Sequence, residues 1–430
     1  MSVVHRLFGD DDGALAWPEL AEEALHSVAG RLVELATNDS EADPAGVLLT
    51  TLTWASAVFG AEPIQYVGDT PHYGRLFTVL VGQTSKARKG TTIAPVKRIL
   101  TQAEILDPVS QQGLKKRYGG LSSAEGLIYA VRDPSSTQTN DGYPVDEGVT
   151  DKRLLCIETE FGKVFRTMQR QGNTIGDILK QAWDGGDLGT LTKESPLQAS
   201  NPHINIIGHI TGDELSELLT PAVIWSGLGN RFLWCCVRRN GIYPDPARMP
   251  DDAVEELACR LRNAFENAKG IEKVDWADDE VKKAWAQSYE RLSTGGSGAF
   301  GAMTGRSEAQ VRRLAMVYAL LDCTDRIDLF HLKAAEAVWH YCDQSAEYLF
   351  GAERDPLSFD IAKVMRHFEN FPNAVLTKTE MGLLLGKSTK RRDKVVRSLL
   401  DAGVLESEKV QTGGAPKTLY CRKRKKGEKA

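Results

Sequence analysis

Short apolar runs joined by longer amphipathic stretches fill the first part of the chain, and from about residue 251 apolar residues recur at helical spacing instead. Leu20, Ala24, Val28, Leu32 and Leu35, then a second apolar segment from Val47 to Phe59, predict helices over residues 14 to about 70. Further on, Leu76–Val81, Leu154–Ile157, Ile204–Ile207 and Phe232–Val237 are too short for helices and are separated by helix-length connections. That alternation predicts a layered α/β domain. Pro134 to Val149 is rich in turn formers and reads as an exposed loop. Amphipathic stretches around Val254–Ala268, Glu280–Leu292, Glu308–Leu321 and Leu332–Leu349 predict a helical subdomain, with Gly295 to Gly305 as a loop within it. The last residues, after Pro356, have an apolar pattern of their own. The expected divisions are therefore 1–70, 71–245, 246–355 and 356–430.

The length of 430 residues, with 42% apolar and 26% charged, suits two or three globular units. No predominantly apolar run reaches the roughly 18 residues that span a bilayer. Asp10, Asp11 and Asp12 stand where a secretory signal needs an apolar core, so a cytoplasmic location is expected. The seven cysteines are scattered and contain no CxxC pair, so neither a disulfide framework nor a zinc cluster is expected, and adjacent Cys235 and Cys236 read as small core residues. The net charge of −5 hides an asymmetry: residues 378–430 hold 15 Lys and Arg against 6 Asp and Glu. Such a basic end is a plausible nucleic-acid contact through phosphate neutralisation.

The run Phe77–Gly82 reads as a buried strand leading through a turn that contains Ser85 into Lys89, Gly90, Thr91, Thr92 and a helix. A strand, a loop with Gly, Lys and Thr, and a helix N-terminus present backbone N–H groups and an ammonium to phosphate. Lys89 is placed to reach the β- and γ-phosphates of ATP, and Thr91 or Thr92 to offer a hydroxyl to Mg²⁺. Counted from Gly82, the usual G-x-x-x-x-G-K-[ST] spacing puts Ala87 at the second glycine and Arg88 at the lysine, so Arg88 or Lys89 is the phosphate ligand. Glu158 and Glu160 end an apolar strand on one side by period-two geometry. Acids there can hold Mg²⁺ through water and orient the attacking water, Glu158 being assigned to the metal and Glu160 to the water, with the roles exchangeable. The strand from His203 ends in polar groups, His209 or Thr211, as candidate sensors of the γ-phosphate. Arg231 stands just before the next apolar strand, where it can reach a neighbouring subunit's γ-phosphate.

This ordering resembles the AAA+ ATPases, and more narrowly hexameric replicative helicases such as the minichromosome-maintenance family. Val81-Gly82 with Ser85 and Ala87 is similar to that family's phosphate loop, and Gly229-Asn-Arg231-Phe232 to its arginine-finger box. Thr304-Gly-Arg306 followed by Arg313-Leu314 is similar to the lid segment that carries a second sensor arginine, which implicates Arg306 or Arg313. The segment from Leu188 to Gln198 is similar to the hairpin that pushes a lysine at DNA in the ring's channel, which makes Lys193 the translocation candidate. Gly120-Leu-Ser-Ser-Ala-Glu-Gly126 and Trp183-Asp-Gly-Gly, taken with these strings, also resemble a P-loop family of phages, plasmids and integrative elements often joined to primase domains. The resemblance implies a DNA helicase of a phage or mobile element, working as a homo-oligomeric ring with a primase or initiator partner.

The C-terminal residues read as helices over Asp360–Phe371, Thr377–Leu385 and Ser388–Ala402, then strands Val404–Val410 and Lys417–Arg422. That order resembles a winged helix-turn-helix. Lys387, just before its basic helix, and Lys390, Arg391, Arg392, Lys394 and Arg397 on it are the expected DNA contacts. The alternative is a DNA-binding initiator or regulator whose P-loop fold binds nucleotide without productive turnover.

Overall fold

A computed structural model describes residues 16–82, 89–104, 113–135, 145–190, 196–351, 364–365, 367–368, 371, 374–385, 389–411 and 417–423. These belong to two compact units, Trp17–Glu347 and a second that holds the residues from Tyr348 onward.

The larger unit is mixed α/β. Chain order first gives a hairpin, β1 (Ile64–Val67) and β2 (Thr70–Tyr73), then β3 (Phe77–Gly82), β4 (Lys116–Tyr118) and β5 (Arg153–Glu158). A short antiparallel pair, β6 (Leu188–Gly189) and β7 (Gln198–Ala199), precedes β8 (His203–Thr211) and β9 (Phe232–Cys236). Five of these strands form one parallel sheet in the order β4-β5-β8-β3-β9. Its inner strands are buried along almost their whole length because both faces are covered, as parallel sheets require. On one face the helices Pro44–Phe59 and Lys89–Ala103 share a core with Leu80, Leu155, Ile157, Ile207 and Leu233. On the other, the rings of Phe77, Phe161, Phe165 and Phe232 meet edge to face or tilted at 5.3–5.5 Å.

The helix Pro44–Phe59 begins where Asp43 accepts the Gly46 N–H at 3.0 Å with proline in the first turn. Every residue from Ala45 to Phe59 is buried, and its polar side chains find partners inside: Thr53 with Thr78 at 2.7 Å, Ser56 donating to Asn205 at 2.9 Å. A helix buried all round belongs in a core rather than in a separate N-terminal division. Residues 17–347, which span the expected divisions 1–70 and 71–245 and most of 246–355, accordingly lie within one compact unit. Two local readings differ as well. Residues 64–70, expected as helix, form the β1–β2 hairpin together with 71–73, where Ile64, Tyr66 and Val67 favour extended backbone. Gly298–Thr304, expected as loop, is a helix because its Met303 is buried against Gly229, which has no room for a Cβ.

The C-terminal unit has helices Lys378–Leu384 and Thr389–Asp401 and an antiparallel sheet in which Lys417–Arg422 is central, flanked by Val375–Thr377 and Leu405–Val410. Val364, Phe368, Met381, Val395, Leu399 and Leu405 form its core. Thr377 and Glu380 close a reciprocal capping box at the first helix. Among the described residues no helix is long and apolar enough to cross a membrane.

Candidate functional site

Parallel pairing puts the carboxyl ends of β3, β8 and β5 side by side, with Gly82 opposite Thr211 and Glu158 opposite Gly208. The chain leaves β3, reaches the far edge at β4, returns through β5 and β8, and then crosses to β9 on the other side of β3. Ligands of open α/β sheets bind at such a reversal, in the crevice beyond the carboxyl ends.

Lys89 opens the helix after β3 and is partly buried. Burial lowers its pKa, and the nearby carboxylate of Glu214 pulls it back. His209, near the end of β8, is 3% exposed, and its Nε2 has no hydrogen-bond partner among the described residues. Burial, assisted by the charge of Lys89, pushes that imidazole down to about 4. A buried ring nitrogen without a partner costs free energy unless something fills its hydrogen bond. An anion at the helix start would accept from it. The hydroxyl of Thr92 donates to the Lys89 carbonyl at 2.6 Å, whereas Thr91 is partly exposed, and a Cβ at Gly90 would meet nothing. Thr211 caps the helix Gly212–Leu218 by accepting from the Glu214 N–H, and of the two sensor candidates it is His209 that has a buried polar atom without a partner among the described residues.

Glu158 ends β5, 5% exposed, and accepts the Leu121 N–H at 3.1 Å. It borders a cavity of about 250 Å³ beside Gly119, Gly120, Ser122 and Ser123. Glu160 is exposed and paired with Lys163, whose contact holds it below the usual carboxylate range. The turn that carries Glu160 is anchored across β8: Phe161 donates its N–H to the His209 carbonyl at 2.8 Å and lies over Gly208. A Cβ at Gly208 would stand 2.6 Å from that ring.

Glu214 is a site residue the sequence reading passed over. It accepts from Arg166 at 2.6 Å and acts on Lys89. Its signal was the T-x-x-E spacing from Thr211, a helix start placed directly at the end of β8.

The three arginines lie elsewhere. Arg231 precedes β9 and Arg75 precedes β3, at the amino end of the sheet. Arg231 is 6% exposed and grips Asp184 of its own chain through Nη2 at 2.6 Å and Nε at 3.2 Å. Arg306 stands 3.5 Å from the same carboxylate. Arg313 is buried 3.4 Å over the Trp183 ring and donates to the carbonyls of Arg75 and Trp183, both at 3.0 Å. Burial, then the charge of Arg75, lowers its pKa well below the usual value. A β3 of six residues spans about 20 Å. Arg231 and Arg313 are therefore not assembled with Lys89 and His209 within one chain.

Ser85, Arg88, Lys193 and Lys387 lie outside the described residues. The strands flanking Lys193 do pair, Leu188 with Ala199 and Gly189 with Gln198. Lys390, Arg391, Arg392, Lys394 and Arg397 share the helix Thr389–Asp401. Arg392 donates to Asp393 at 2.7 and 2.9 Å, while Lys394 and Arg397 are exposed. Cys235 and Cys236 are buried in the core, and burial pushes both thiols up. No protein-family model matches the chain, and no curated protein matches it.

Proposed function

We propose that the protein is an ATP-dependent motor on DNA, a helicase-like P-loop ATPase with a helical lid and a C-terminal winged helix, working as a homo-oligomeric ring. The observation that carries this reading is the place of β8 between β3 and β5, which sets the unpartnered His209 nitrogen between the Lys89 helix and the Glu158 strand. Strands about 4.8 Å apart put Glu158 roughly 10 Å from β3, room for a phosphate and its counter-ion.

In this reading the N-terminus of the helix and the Lys89 ammonium neutralise the β- and γ-phosphates of ATP. Thr91, whose partner hydroxyl Thr92 is already engaged, and Glu158 hold Mg²⁺, which supplies further charge neutralisation at the phosphate oxygens. Glu160, kept ionised by Lys163, orients the attacking water. His209 donates from Nε2 to the γ-phosphate, and Glu214 keeps Lys89 protonated. Arg231, about a strand length away, meets only the triphosphate of a second copy once it leaves Asp184, with Arg306 beside it, while the buried Arg313 holds Trp183 in place. The basic helix with Lys394 and Arg397, and the hairpin segment with Lys193, face DNA. A second reading, a DNA-binding regulator that holds nucleotide without turnover, is favoured by the pairing of Arg231 with Asp184.

Hydrolysis separates the two. The motor hydrolyses ATP with Mg²⁺, faster on single-stranded DNA, unwinds a forked duplex, and loses at least about a hundredfold in kcat in Lys89→Ala and Glu160→Gln. Absence of turnover, or turnover indifferent to both changes, would sink the motor and leave the regulator.

A further inference from the structure

Remote from the sheet edge, three side chains from distant parts of the chain converge. His26 precedes the helix Ser27–Thr37, Asp322 follows the helix Ser307–Leu321, and His331 lies in the first turn of the helix Leu329–Phe350. One ligand atom from each lies within 4.8 Å of the others. The Asp322 Oδ2 stands 2.7 Å from His26 Nε2 and 3.0 Å from His331 Nε2, and the Ser27 hydroxyl donates to its other oxygen. Phe330 stacks on the His26 ring, and Tyr318 and His331 meet it edge-on, which fixes its plane.

We infer that His26, Asp322 and His331 form a binding site for a divalent transition-metal ion, Zn²⁺ foremost. Two imidazoles and a carboxylate are the donors such ions take, at about 2.0–2.2 Å, which puts neighbouring donor atoms of a tetrahedral site about 3.3 Å apart. To reach that spacing the Asp322 oxygen needs to draw back by about 0.3 Å from His331 and about 0.6 Å from His26. The outer shell is in place too. His331 Nδ1 accepts the Asp328 N–H at 3.1 Å and lies 3.1 Å from the Asp328 carboxylate. When Nε2 binds the ion, the ring proton moves to Nδ1, which gives up the Asp328 N–H and donates instead to the Asp328 carboxylate, the arrangement that orients metal-bound histidines. His26 likewise vacates Nε2. His26 and Asp322 are each partly exposed, which leaves ion entry and a water ligand on the solvent side. Backbone strain marks the same place. Among the described residues four that are not glycine have positive φ; Asp39 and Asn201 are of types that tolerate it, whereas Ser27 at +55° and Cys323 at +58° directly follow His26 and Asp322.

The test uses the full chain, stripped with chelator and kept in excess Mg²⁺. Titration with Zn²⁺ against a chromophoric chelator should show a site of one ion per chain, weakened at least about a hundredfold in His26→Gln. Co²⁺ should give visible d–d bands without thiolate charge transfer, and Zn²⁺ should raise the melting temperature of the wild type but not of His26→Gln. His331→Asn is the second variant; because His331 is buried and could matter for folding, His26→Gln, at the partly exposed position, decides if it does not fold. No stoichiometric binding, equal binding by His26→Gln, or a Co²⁺ spectrum abolished by Cys323→Ser would each overturn the assignment.

Discussion

His209 is held neutral by its surroundings, and that has a measurable sign. Its folded-state pKa of about 4 lies below the ordinary 6.5, so its contribution to stability is complete above pH 6.5 and is lost as the pH falls through about 4. The difference amounts to up to about 3 kcal/mol at 1.36 kcal/mol per unit. His72, also pushed to about 4 by burial and then by Arg313, acts in the same direction. Asp43 opposes them: burial raises it to about 6, so its contribution is present below pH 3.8 and lost as pH rises through 6. Chemical denaturation between pH 7 and 4 should therefore show a shallower acid limb in His209→Gln than in wild type. MgATP at the proposed site should move the His209 titration upward, read by NMR of the imidazole, because a γ-phosphate beside Nε2 favours the charged ring.

Four of the five sheet strands were legible because short apolar runs bounded by turns leave few other choices: β3, β5, β8 and β9 each overlap the expected run. The four long helices of residues 251–350 were legible by their periodicity. β4 escaped because Lys116, Arg117 and Tyr118 sit at the sheet margin, partly exposed, with no apolar run to mark them. Glu158, Lys89 and His209 could be named from spacing, but the engagement of Thr211 as a cap and of Arg231 by Asp184 depends on residues far away in sequence or on a competing local hydrogen bond. β8 and the turn after β5 fit through one contact, Phe161 on Gly208. Gly208→Ala should lower stability by about 1–3 kcal/mol and displace Glu160, with thermal unfolding and ATPase rate falling together.

Assembly decides whether the two ends of the sheet ever cooperate. If Arg231 serves a neighbour, chains carrying Lys89→Ala and chains carrying Arg231→Ala, each inactive alone, should regain part of the ATPase activity when mixed, since some interfaces then hold an intact lysine and an intact arginine. Were Arg231 to act only within its own chain, the mixture would stay inactive.

The helix Pro44–Phe59 has a consequence for biosynthesis. Its covering strands end at residue 236 and the helix Asp251–Ala268 follows, so during translation at about 5–20 residues per second this apolar rod waits some tens of seconds for its partners. A nascent chain stalled before residue 203 would display that surface with no β8 to cover it, making the early intermediate a natural client for ribosome-associated chaperones.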